Sequence, residues 1–136
     1  RGLSPYTSPF DYYHEDSDLK KKKINKELYL AFLIEGKEGI ESIPSICKKY
    51  GNKISMLYFG LYDFASSLGL PANWRHKEIK KNIKSEIDTC NKFKIRVGTI
   101  ARTKKEIVML KKYGVNDICY QNDTGIFNEA LKKLLI

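Results

Sequence analysis

Apolar positions along this chain follow two alternating patterns. Continuous apolar runs fall at about 28–35, 54–60, 94–100 and 116–120. Runs of this kind read as strands buried on both faces of a parallel sheet. Between them, apolar residues recur at helical spacing. Ile40, Ile43, Ile46 and Cys47 predict a helix that tolerates Pro44 in its first turn and stops at Gly51-Asn52. A short helix carries Asp63 to Leu68 and ends at Gly69 and Pro71. Ile79, Ile83, Ile87 and Cys90 form one stripe of a helix over about 76–92, with charges opposite. Thr103-Lys104-Lys105-Glu106 reads as a capping box for a helix that reaches Tyr113 and stops at Gly114. A last helix, about 124–135, is expected to bury Phe127, Ala130, Leu131, Leu134 and Leu135. Residues 1–27 read as an irregular lead-in broken by Pro5 and Pro9, and residues 28–136 as one α/β domain of four βα units. Such units build either an open doubly wound sheet or a (β/α)8 barrel, of which four are half.

Composition narrows this picture. The chain has 136 residues and begins at Arg1 rather than Met, which reads as a processed product or a fragment. No segment has the pattern of a secretory leader. No apolar run approaches the roughly 20 residues of a membrane helix. The expectation is a soluble, cytoplasmic chain without membrane contact. Cys47, Cys90 and Cys119 are odd in number and contain no Cys-x-x-Cys pair, so they read as reduced cysteines in or near the core. The net charge of +9 would suit an anionic partner. Yet only Lys20–Lys23 forms a run, and the other lysines are scattered over several helices. They read as solvated faces, not as a nucleic-acid footprint.

The candidate chemistry sits at two strand ends. Glu35 follows Leu30–Ile34, and Asp63 follows the run that ends at Phe59-Gly60-Leu61-Tyr62. Ligands of parallel α/β proteins bind at the C-terminal ends of strands. Two carboxylates from neighbouring strands could hold one hard cation, Mg²⁺ or Mn²⁺. Each residue also has a structural reading: Glu35 as the partner of a lysine, and Asp63 as the N-cap of the short helix. Gly60 would let the backbone approach a ligand, and the amides around Leu61, Tyr62 and Asp63 open a helix where a carboxylate can bind. A small 2-keto acid suits such a site. His14 and His76 read as surface residues. No nucleophile elbow, phosphate loop or His-Glu-x-x-His occurs.

Leu33-Ile34-Glu35-Gly36-Lys37-Glu38-Gly39-Ile40 and Phe59-Gly60-Leu61-Tyr62-Asp63-Phe64-Ala65-Ser66-Ser67-Leu68-Gly69 together resemble two segments of the HpcH/HpaI aldolase and citrate lyase β-subunit family, within the phosphoenolpyruvate/pyruvate barrel superfamily. Lys94–Thr99, Tyr113–Asp123 and Arg1-Gly2 extend the resemblance over nearly the whole chain. Leu61, Phe64 and Gly36 stand where the family commonly has proline, leucine, and threonine or serine.

The resemblance implies the C-terminal half of a (β/α)8 TIM barrel. It assigns Glu35 and Asp63 to a divalent metal, and Gly60, Leu61 and Tyr62 to a pyruvate- or oxaloacetate-like substrate. The implied activity is metal-dependent carbon–carbon cleavage or formation through a pyruvate-type enolate. The family's catalytic arginine and its histidine–acid base lie on the other half of the barrel, outside this chain. The fragment alone is therefore expected to be inactive, to need the N-terminal half-barrel, and to assemble as a homo-oligomer. The alternative is a non-catalytic half-barrel that serves as an assembly or interaction module.

Overall fold

The computed structural model describes residues 17–135. Helix α1 (Ser17–Glu27) precedes a series of strand–helix units: β1 (Ala31–Ile34), α2 (Lys37–Tyr50), β2 (Met56–Phe59), α3 (Leu61–Ser67), α4 (Lys77–Lys92), β3 (Arg96–Ala101), α5 (Lys104–Tyr113), β4 (Asp117–Tyr120) and α6 (Asp123–Leu134). The four strands pair in parallel in the order β1-β2-β3-β4, with Ile34 opposite Phe59 and Phe59 opposite Thr99. The expected four βα units are therefore present. Helix α1 replaces the irregular chain expected up to residue 27. Its residues include neither proline nor glycine and are rich in lysine, a good helix former. The rest of the lead-in, including Pro5, Pro9 and His14, lies outside the described residues.

One face of the sheet carries the core. Leu57, Phe59, Val97, Thr99 and Ala101 are buried with Ile40, Ile43 and Cys47 of α2, Ile79, Ile83, Ile87 and Cys90 of α4, and Leu110 of α5. Burying one such aliphatic side chain contributes about 1.5–3 kcal/mol. Phe59 packs edge-on against Phe64 at 5.0 Å and lies 5.7 Å from Trp74. The capping box at Thr103 forms as expected, and Gly114 ends α5 at φ 100°, in the left-handed region that favours glycine.

The opposite face is open. Met56 and Tyr58 lie over Gly98, where a methyl group would come within 2.7 Å and 2.8 Å of them. Leu33 on the same face is 56% exposed. Strand β1 is thus not the doubly buried strand its apolar run implies. Ala31, Phe32 and Leu33 are exposed and only Ile34 is buried. Helix α6 departs in the same way. It buries none of its residues, and Phe127, Leu131, Leu134 and Leu135 are all exposed. Both elements lie at the ends of the sheet order, where the described residues provide no next layer.

Candidate strand-end site

Glu35 is the first residue past β1, and Gly60 the first past β2. The Gly60 amide donates to Ile34 O at 2.9 Å, which extends the sheet by one bond and sets Gly60 beside Glu35. A methyl group on Gly60 would lie 2.7 Å from Glu35 Cβ. Glycine is thus required by the close approach. Its amide is spent on the sheet, so what Gly60 contributes to a site is space.

Helix α3 begins directly afterwards, with Gly60 in the capping position and Asp63 in the first turn. Asp63 therefore is not the N-cap, because the helix starts three residues earlier than that reading requires. Leu61 is buried and anchors the turn, while Tyr62 and Asp63 are exposed. The amides of Leu61, Tyr62 and Asp63 have no acceptor within the helix. Glu35 is exposed as well and pairs with no described lysine. The cost of burying its charge therefore does not arise. With no described partner, each carboxylate is free to act as an oxygen ligand of the kind a hard divalent cation takes. Among the described residues, no group of three or more His, Cys, Asp or Glu could hold a metal ion. Two carboxylates would leave the remaining positions to water and substrate.

The other two strands end in residues that the sequence pattern did not single out. Arg102 follows β3, with its guanidinium 5.4 Å from the centre of the Tyr62 ring and Nη2 donating to Ala72 O at 3.3 Å. Gln121 follows β4. It is buried, takes a left-handed φ of 56°, and donates through Nε2 to Arg102 O at 2.8 Å and Glu129 Oε1 at 2.9 Å. Gln121 thereby ties the ends of β3 and β4 to α6. The only available signal for either residue was its place one step past a strand. His76 is half-buried, not a surface residue: it caps α4 and its Nδ1 is buried without a partner.

Titration separates two further groups. Burial, followed by the nearby Cys119, pushes the Tyr58 hydroxyl up to about 12, so it stays protonated on the open face. Burial pushes the Glu86 carboxyl up to about 8. Glu86 lies on α4, among residues that line a cleft of about 220 Å³ with Ile43 and Pro44 of α2, and neither of its oxygens has a partner. All three cysteines are free. Cys47 and Cys90 are buried, but Cys119 is exposed because it sits on β4 beside the open edge. No described helix is long and apolar enough to cross a membrane.

Known proteins share this fold. Residues 10–116 match the model of the HpcH/HpaI aldolase/citrate lyase family. A 2-keto-3-deoxy-L-rhamnonate aldolase of Escherichia coli O6:K15:H31 (strain 536 / UPEC) is 25% identical over 113 residues, which cover 83% of this chain and 42% of that protein. The crystal structure of an HpcH/HpaI aldolase/citrate lyase family protein from Burkholderia cenocepacia J2315 superimposes with a TM-score of 0.85 at 18% identity, over 99% of this chain and 51% of that one. The HpcH/HpaI aldolase of Desulfitobacterium hafniense DCB-2 does so with a TM-score of 0.80 at 15% identity, again over 99% and 51%. The chain thus spans about half the length of the proteins it matches, and its open four-stranded sheet is half of a (β/α)8 barrel. Matched over most of its length, the chain belongs to the HpcH/HpaI aldolase/citrate lyase family.

Proposed function

We propose that this chain is the metal-binding portion of a divalent-metal-dependent aldolase or lyase that makes or breaks carbon–carbon bonds through a pyruvate-type enolate. The β1–β2 register carries this reading. Pairing Ile34 with Phe59 brings Glu35 out of the sheet beside the turn that holds Asp63. Glu35 and Asp63 would hold Mg²⁺ or Mn²⁺. When bound, the ion supplies Lewis acidity toward the oxygens of a small 2-keto acid, pyruvate- or oxaloacetate-like. The amides of Leu61 and Tyr62 would donate to its carboxylate, and the bare Gly60 would let the backbone approach it while leaving room for the Glu35 side chain. The acid–base residues and the catalytic arginine would come from the N-terminal half-barrel. The three free cysteines suit the reducing cytoplasm.

A second reading, a non-catalytic assembly module, is favoured by the exposed apolar residues of β1 and α6. The two readings part on metal. We expect calorimetry to show Mn²⁺ binding strengthened by pyruvate or oxalate and abolished by Asp63→Asn. A folded protein that binds no Mn²⁺, both alone and completed by its other half-barrel, would overturn the aldolase reading in favour of the module.

A further inference from the structure

Arg102 also borders a second space. A cleft of about 890 Å³ opens between the loop that leads into α4 and the first turn of α5. That volume lies within the range of small-molecule sites. Four cationic side chains line it, Arg75, Arg102, Lys104 and Lys105, against one carboxylate, Glu106. Glu106 is already engaged, since its Oε2 accepts the amides of Arg102 at 2.7 Å and Thr103 at 3.2 Å. The amides of Lys104 and Lys105 open α5 and have no acceptor within the helix. The Asn73 side-chain oxygen is occupied by the Arg75 amide at 2.9 Å. The walls therefore present donors and positive charge with few free acceptors. The same lysines on a convex surface would be solvated and silent. Here they surround a concavity bordered by the buried Trp74, whose Nε1 is fixed to Ile100 O at 3.2 Å.

We propose that this cleft binds a phosphate-bearing group. Guanidinium forks match phosphate oxygens in pairs, and the two lysines add point charge. Arg102 joins the cleft to the strand-end site, because its guanidinium faces Tyr62, the neighbour of Asp63. The phosphate would therefore sit at the far end of the reactant whose reacting end is held near Glu35 and Asp63. That last step rests on the proposed function, whereas the cleft itself does not.

Trp74 is the only tryptophan in the chain, so its emission reports on the cleft directly. At constant ionic strength, pyrophosphate should produce a saturable change in that emission. Arg102→Gln combined with Lys104→Gln should weaken binding about tenfold or more, from the loss of two charge-assisted contacts. Lys132→Gln combined with Lys133→Gln, at the C-terminal end of α6 and not among the residues that line the cleft, should leave it unchanged. The absence of a saturable change overturns the proposal, and so does an equal loss in the α6 variant, which would reduce the effect to net charge. Citrate binding as tightly as pyrophosphate would overturn the assignment to phosphate. Pyrophosphate binding that survives in Asp63→Asn, while Mn²⁺ binding is lost, separates the cleft from the metal site.

Discussion

At the scale of the residue, the site depends on an atom that is absent. Gly60→Ala places a methyl group 2.7 Å from Glu35 Cβ, so either the strand end or the carboxylate must move. We expect a cost of roughly 1–3 kcal/mol in thermal or chemical unfolding, together with weakened Mn²⁺ binding. Gly36→Ala is the matched control, because a methyl group there meets nothing within 4 Å. Glu86 makes a prediction of a different kind. Its carboxyl titrates near 4.5 when unfolded and near 8 when folded. The unfolded chain therefore binds fewer protons between those values. The contribution of Glu86 to stability is greatest below about 4.5, falls as pH rises, and levels off above about 8. Melting temperature measured across this range should fall by the equivalent of a few kcal/mol on the order-of-magnitude scale, and Glu86→Gln should flatten the curve. Glu86 was legible in principle: it stands three residues after Ile83 and four before Cys90, on the apolar stripe. Its charge hid it among the lysines of α4.

At the scale of the element, local chemistry explains most boundaries. The Thr103 hydroxyl accepts the Glu106 amide at 3.2 Å while Glu106 reaches back to the Thr103 amide. Thr103→Ala should therefore cost about 1 kcal/mol, measurable by urea unfolding. Helices α2, α4 and α5 could be read from their stripes because each buries its stripe within this chain. Helix α6 has an equally regular stripe and buries none of it. Strand β1 has an equally apolar run and buries one residue. A pattern records which face wants cover but not whether the same chain supplies it.

At the scale of the molecule, the sheet has two edges without a partner strand among the described residues. An edge that carries exposed apolar side chains is a template for pairing with another chain. Next to β1, an apolar depression of about 420 Å³ is lined by Leu30, Phe32, Leu33 and Tyr50. Next to β4 lie the exposed residues of α6. Leu134→Lys combined with Leu135→Lys should leave the unfolding free energy within about 0.5 kcal/mol, since both side chains are already exposed. The same change should reduce self-association or docking of a complementary half-barrel, read by sedimentation velocity. Equal association in the variant would remove α6 from the interface.

The sequence by itself determined the order of strands and helices from residue 28 onward, the capping box, the stop at Gly114, and the place of Glu35 just past β1. All of these follow from periodicity and from chemistry within a few residues of each other. Tertiary structure alone decided that Gly60 abuts Glu35 and that Arg102 lies by Tyr62. It also decided that Gln121 is buried in a left-handed turn and that β1 and α6 stand uncovered. Each of these depends on parallel register or on the closure of the sheet. Such contacts join residues some 20 to 40 positions apart, beyond the reach of any local pattern.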